Sequence, residues 1–184
     1  MAQEANNTQE ATRPILIVDD EEIVLVALRD TLLREGYTVI SSPHAVHALS
    51  VLKEQEFSVV ITDQQMPMVS GLDFLGQVRQ IQPDATRILI TAVLNISTLI
   101  DAVNKAEIYR FVVKPWSREE LLAAVRSAVE RYEGISSNSR LLIQTLAANR
   151  QLQQTIQALA NQAPGLDRKN APTLVAAEKA PSTA

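Results

Sequence analysis

Short apolar runs alternate with segments of helical spacing between residues 14 and 133. The runs are rich in β-branched residues and contain few polar interruptions, which is typical of strands covered on both faces. They lie at Ile15–Val18, Tyr37–Ile40, Phe57–Ile61, Arg87–Ile90 and Tyr109–Val113. Five strands that alternate with five helices predict an α/β fold, with one doubly wound, five-stranded parallel sheet between two helical layers.

The predicted helices carry apolar residues at intervals of three and four, so that each has one apolar face. The clearest faces lie within residues 45–52, 96–103 and 121–132. Gly36 stands where a helix would end, because glycine favours the position after a helix C-terminus. Ser117 and Glu120 form a capping-box pattern at the start of the last of these helices.

The character of the chain changes after Gly134. Residues 135–162 are rich in Gln, Asn, Leu and Ala and contain no Pro or Gly, so we expect a C-terminal helix over 134–162. One position of a seven-residue repeat holds Ile135, Leu142, Asn149 and Ile156, and the position three residues later holds Asn138, Thr145, Leu152 and Leu159. The polar members weaken the second series. The helix either associates as a coiled coil, with a second copy or with a partner helix, or it packs back on the preceding domain or stays frayed.

Composition and charge narrow the classes of function. The 184 residues are 46% hydrophobic and 21% charged, which suits one domain, residues 14–133, with an appendage. Residues 1–13 are expected to form a flexible arm and the Pro- and Ala-rich residues 163–184 a disordered tail. There is no Cys, no membrane-length apolar run and no signal-peptide pattern, so a cytoplasmic protein is expected. The net charge of −4 and the lack of a basic stretch argue against nucleic-acid binding.

Polar residues follow four of the predicted strands where each strand ends. Asp19, Asp20 and Glu21 follow the first strand and Asp63 the third, while the fourth and fifth strands close with Thr91 and Lys114 respectively. The carboxyl ends of parallel strands meet at one edge of a sheet, where such folds place their ligands. We therefore expect these side chains to share one cleft.

The residue types in this cleft suit phosphoryl transfer. Neighbouring carboxylates repel one another, and Mg²⁺ removes that repulsion because it prefers oxygen ligands. A carboxylate beside the ion can attack phosphorus and form an acyl phosphate, and here that carboxylate is Asp63. Lys114 and Thr91 can donate to the charged phosphoryl oxygens.

With these markers the sequence resembles the receiver domain of two-component response regulators, across residues 14 to about 133. Further markers are Met66-Pro67 and Gly71 after Asp63, Ala92 after Thr91 and Pro115 after Lys114. The resemblance implies a flavodoxin-like, receiver-type fold with Asp63 as the phosphoacceptor. It implies a Mg²⁺ site formed by Asp19, Asp20, Asp63 and the main-chain carbonyl of Gln65, a phosphoryl site formed by Thr91 and Lys114, and a cis bond before Pro115.

The resemblance also implies how the protein would work. As a response regulator, it would accept a phosphoryl group from a sensor histidine kinase or a phosphotransfer protein and would not be an enzyme with a separate substrate. Thr91 and Phe111 would form the switch that a protein partner reads. Tyr109 is an alternative aromatic, and strand alternation predicts that it shares the face of Phe111. Val93 cannot orient a water molecule, so phospho-Asp63 is expected to hydrolyse slowly.

Two other functions remain open and two are disfavoured. The chain could be a pseudo-receiver, a binding scaffold that is never phosphorylated, or an aspartate-nucleophile phosphatase of the haloacid dehalogenase type. The phosphatase signature needs a second Asp where this chain has Glu21. Dinucleotide binding lacks its glycine motif, and DNA binding lacks a helix-turn-helix pattern. His44 and His47 could share a metal ion, but we expect them to be solvent-exposed.

Overall fold

Five strands and four helices make up the part of the chain that the computed structural model describes, residues 13–92 and 106–162. The strands are β1 (Ile15–Val18), β2 (Val39–Ser42), β3 (Val59–Asp63), β4 (Thr86–Thr91) and β5 (Arg110–Val113). The helices are α1 (Glu22–Arg34), α2 (Ala45–Glu54), α3 (Gly71–Ile81) and α4 (Arg118–Gln162). The helix predicted around 96–103, the tail and nearly all of the arm lie outside the described residues.

All five strands are parallel and form one sheet in the order β2-β1-β3-β4-β5. The predicted doubly wound parallel sheet is therefore confirmed. The chain winds outward from β1 in both directions, so β1 and β3 are neighbours at the point where the winding reverses. β5 pairs with β4 alone and lies at the edge of the sheet.

The sheet is buried on both faces, as its continuous apolar runs predict. Every residue of β1, β3 and β4 is buried. One core cluster joins alternate strand residues such as Ile17 and Ile61 to α1 and the first turns of α4. The other joins Leu16 and Val60 to α2 and α3. In the described part of the chain, one helical layer therefore covers each face of the sheet.

The start of β2 differs from the prediction by two residues. Gly36 adopts a φ of 84°, and its N–H donates to the carbonyl of Leu33 at 3.0 Å. The Tyr37 N–H donates to the carbonyl of Leu32 at 3.2 Å, which completes a Schellman motif at the end of α1. Because Tyr37 serves as part of this helix cap, the strand begins only at Val39.

The helix expected after Gly134 is present and is continuous with the preceding one in α4. The predicted cap is also present, since the Glu120 N–H donates to Ser117 Oγ at 3.1 Å. The chain divides into two compact units, Met1–Arg140 and Leu141–Ala184. In the first unit Leu121, Val125 and Ala128 are buried in the core. None of the described helices is both long enough and apolar enough to cross a membrane.

Two glycine substitutions should change stability in opposite directions. Gly36→Ala forces a side chain into the left-handed region, so we expect the free energy of unfolding to fall by about 1 kcal/mol. Gly76→Ala, inside α3 with open space around the new methyl group, should raise it by about 0.5–1 kcal/mol. Equilibrium urea unfolding of both variants measures the difference, and a stabilised Gly36→Ala variant would contradict the cap assignment.

Candidate functional site

The polar residues at the strand ends lie together at the carboxyl edge of the sheet. Asp19 follows β1 and is 1% exposed, and Asp63, the last residue of β3, is 5% exposed. Thr91 ends β4 and is buried, whereas Lys114 follows β5 and is partly exposed. Asp20 is exposed beside Asp19. Because β1 and β3 are adjacent, the two buried carboxylates meet at the reversal point of the fold.

Lys114 contacts three carboxylates at this edge. Its Nζ lies 2.6 Å from Asp63 Oδ1 and 3.6 Å from Asp19 Oδ2. A third contact, at 3.6 Å, is to Glu21 Oε1. The sequence places Glu21 after the first strand but indicates no role for it in the receiver site. The structure shows that its carboxylate lies beside the Lys114 ammonium group. The ammonium offsets the repulsion between the two buried acids.

Backbone amides hold the two buried carboxylates in the same way. Asp19 Oδ1 accepts from the N–H of Glu21 at 2.8 Å, and Asp63 Oδ2 accepts from the N–H of Gln65 at 2.6 Å. Each carboxylate thus bonds to the amide two residues later, which is an Asx turn. Such turns fix the direction of both side chains.

Burial and charge shift two pKa values in the site. Burial raises the pKa of the Asp19 carboxyl above its ordinary value, although the Glu21 amide and the Lys114 ammonium partly offset this effect. Burial also lowers the pKa of Lys114, but the hydrogen bond to Asp63 and the nearby acids outweigh it, so the pKa of Lys114 is raised. The ammonium therefore stays charged at neutral pH.

The loop after Asp63 approaches the site closely. The Gln64 N–H donates to the carbonyl of Ile90 at 2.9 Å, and the Gly71 N–H donates to the carbonyl of Gln64 at 3.0 Å. A Cβ atom at Gly71 would overlap the carbonyl of Asp63. Glycine at this position thus allows α3 to begin directly against the backbone of Asp63 and Gln64. On the other side, the Lys114 N–H donates to the carbonyl of Thr91 at 2.8 Å, and the Lys114–Pro115 bond is cis.

The oxygen donors at the site fit Mg²⁺. Within the described residues no group of three or more acidic or histidine side chains is placed to enclose an ion. Mg²⁺ does not need such a group, since it commonly binds one or two carboxylates and keeps several waters. Asp19 Oδ2 is buried and accepts no hydrogen bond, with Lys114 as its cationic neighbour. A cation near Asp19 and Asp63 would satisfy this oxygen.

The two candidate switch aromatics lie on opposite faces of the sheet. Phe111 packs against the cluster of α2 and α3, whereas Tyr109 packs against the cluster of α1 and α4. The prediction that they share a face is wrong, because β5 begins at Arg110 and Tyr109 precedes the regular strand. The Arg131 guanidinium lies 5.2 Å from the centre of the Tyr109 ring, and that of Arg110 lies 5.7 Å from it.

The two histidines do not join the site. Both are exposed, as expected, and His44 occupies the N-cap position of α2. His47 Nδ1 lies 3.0 Å from the hydroxyl of Ser42. Val93, expected to influence the lifetime of the phosphoryl group, lies outside the described residues.

Comparison with known proteins agrees with the fold described above. The family model of the response regulator receiver domain matches residues 15–126. This chain belongs to the receiver domain family of response regulators. The family is one of signalling domains, and the fold described above is that of a receiver domain.

Several named relatives share the receiver region. The hydrogenase transcriptional regulatory protein HoxA of Cupriavidus necator is 40% identical over 116 residues, which are 63% of this chain and 24% of HoxA. The transcriptional regulatory protein KdpE of Mycobacterium tuberculosis is 34% identical over 131 residues, which are 71% of this chain and 57% of KdpE. This chain therefore spans between a quarter and somewhat more than half of these relatives.

Solved structures of receiver domains are also similar to this chain. The signal receiver domain of an HD domain-containing protein from Pseudomonas fluorescens has a TM-score of 0.67 and 34% identity, covering 72% of this chain and 98% of that one. The beryllofluoride-activated NtrC4 receiver domain dimer has a TM-score of 0.61 and 33% identity, covering 65% of this chain and 98% of that one.

Gly71→Ala should damage the site, because the added methyl group displaces the backbone of Asp63. We expect the free energy of unfolding to fall by about 1–3 kcal/mol. Uptake of a phosphoryl group by Asp63 should slow by about tenfold to 100-fold, as for a misplaced reactive group. Urea unfolding and intact-mass kinetics measure the two effects. Gly76→Ala in the same helix is the matched control, and equal rates in the two variants would contradict the prediction.

Asp19→Asn should stabilise the metal-free protein in a pH-dependent way. The raised pKa of Asp19 means that the folded state disfavours its charged form. This penalty is absent below the ordinary pKa of aspartate, grows as the pH rises toward the raised value and is complete above it. The variant should therefore be more stable than the parent at neutral pH, with a gain that disappears in acid.

Urea unfolding in a chelating buffer at several pH values measures this gain. Asp20→Asn is the control, since the exposed Asp20 carboxylate should contribute little. A gain from Asp19→Asn that stays constant from acid to neutral pH would show that burial of charge is not its cause.

Proposed function

We propose that the protein is a response regulator in which Asp63 accepts a phosphoryl group from a sensor histidine kinase or a phosphotransfer protein. The observation that carries the proposal is the placement of the Asp63 carboxylate. It lies at the reversal point of the sheet, with one oxygen 2.6 Å from Lys114 Nζ and the other bonded to the Gln65 amide. A carboxylate held in this way is oriented for attack on phosphorus.

The transfer would form one bond and break another. An oxygen of Asp63 bonds to phosphorus while the bond from phosphorus to the donor nitrogen breaks, and the donor imidazole keeps the electron pair. Lys114 is already at the site and can stay with the phosphoryl oxygens, and Thr91 can donate its hydroxyl to them. Mg²⁺, held by Asp19, Asp20, Asp63 and the Gln65 carbonyl, would neutralise charge on the same oxygens.

The phosphoryl group would then shift the protein between two packings. Its negative charge would draw the Thr91 hydroxyl inward and allow Phe111 to move among its neighbours in α2 and α3. A second connection leads to α4, where Arg110 Nε donates to Ser127 Oγ at 2.9 Å and Tyr109 contacts Arg131. The proposed output is contact with a downstream protein in the cytoplasm, without DNA binding by the described part of the chain.

Asp63→Asn should abolish phosphorylation while the parent protein gains one phosphoryl group. The full chain is incubated with Mg²⁺ and a small phosphodonor such as acetyl phosphate, and intact mass is followed with time. Asp30→Asn, at an exposed position of α1, is the matched control and should behave as the parent does. Omission of Mg²⁺ should slow the reaction of the parent strongly, because the charge on the phosphoryl oxygens is then unmet.

The same experiment separates the other two functions. Continuous release of phosphate without lasting addition would support an aspartate-nucleophile phosphatase. No addition under any condition would support an unphosphorylated scaffold. The decay of the product after removal of the donor measures its lifetime, which we expect to be much longer than seconds because Val93 cannot orient water.

A further inference from the structure

The second unit of the chain carries an apolar surface that no described residue covers. Six large apolar side chains are 59–67% exposed on this part of α4: Leu141, Leu142, Ile143, Leu146, Leu152 and Ile156. All residues from 137 to 158 are exposed. A helix of a monomeric protein normally buries such residues, so this one lacks a partner surface.

This helix also lacks the interactions that stabilise an isolated helix in water. Residues 141–158 contain a single charged residue, Arg150, so no ion pair can form along the helix. Isolated helices of this length are marginal, and most helical stability in proteins comes from packing of an apolar face. The segment therefore needs a partner.

Three of these six exposed apolar residues lie on a seven-residue repeat, and the other three lie off it. Leu142, Asn149 and Ile156 occupy one seam position, and Thr145 and Leu152 occupy the companion position. The Thr145 hydroxyl donates to the carbonyl of Leu141 at 2.8 Å. Because its hydroxyl is satisfied within its own helix, Thr145 can offer its methyl group to the seam. The polar residue that interrupts the repeat most is then Asn149.

We propose that residues 141–156, the seam segment, pair with the same segment of a second copy of this chain in a parallel two-stranded coiled coil. Asn149 favours an identical partner, because an apolar partner would leave its amide unsatisfied. In a parallel pair in register, Asn149 lies opposite its own copy and the two amides can bond. An antiparallel pair would instead place Asn149 against Thr145 or Leu152. Arg140 and Arg150 lie outside the seam, so their charges do not oppose it.

The absence of Cys from the chain allows a direct test of register. A disulfide requires Cα atoms within about 7 Å, which a parallel pair provides at seam positions. Asn149→Cys and Leu142→Cys should form covalent dimers rapidly under mild oxidation. Ile143→Cys is the matched control, because Ile143 is 67% exposed but lies off the seam. Its cross-linking rate should be lower by roughly tenfold or more. Equal cross-linking at positions 143 and 149 would overturn the proposal.

Sedimentation equilibrium of the full chain tests the number of copies. We expect twice the 20.2 kDa of one chain. The double variant Leu142→Ser and Ile156→Ser should be monomeric, whereas Ile143→Ser should remain a dimer. A monomeric parent, a trimer, or a dimer unchanged by the double variant would overturn the proposal.

Two further measurements keep the outcomes separate. Circular dichroism and phosphoryl uptake by Asp63, measured for each variant, show whether the first unit is folded. The coiled coil does not rest on phosphorylation. A dimer without phosphoryl uptake would therefore contradict only the proposed function, and phosphoryl uptake by a monomer would contradict only the coiled coil.

Discussion

The ion pair between Lys114 and Asp63 is the interaction on which the site depends. Two buried carboxylates at the ends of adjacent strands would repel each other. The ammonium group, which follows β5 on the far side of β4, reduces that repulsion. Parallel pairing makes this possible, since the register that joins Asp63 to Ile90 and Thr91 to Val113 brings all the strand ends to one edge. The chemistry of the site is thus a direct result of the sheet topology.

Much of this arrangement could be predicted from the sequence. The unalternated apolar runs indicated strands that are buried on both faces, and their alternation with helical segments is typical of a parallel sheet. Once a parallel sheet is predicted, the residue after each apolar run can be placed at the carboxyl edge without a measured interatomic distance. This reasoning is strong for Asp19 and Asp63, because a buried strand and a polar end residue are both local signals.

Other features depend on contacts that the sequence does not show. The start of β2 is displaced because Tyr37 caps α1 through a backbone bond to Leu32, and apolar character alone cannot separate a cap from a strand. Tyr109 and Phe111 lie on opposite faces because regular alternation begins only at Arg110. The proximity of Glu21 to Lys114 depends on side-chain conformations, which pattern reasoning does not supply.

The position of β5 at the margin of the sheet has a mechanical consequence. A strand with a neighbour on one side is held by a single ladder of hydrogen bonds, so it can be displaced with less disruption than the central strands. This strand leads directly into Lys114. Phe111 in the strand packs against the layer of α2 and α3, and Tyr109, directly before the strand, packs against the layer of α1 and α4. A small tilt of β5 would therefore change the packing in both helical layers at once, while β1 and β3 keep the acidic groups in place.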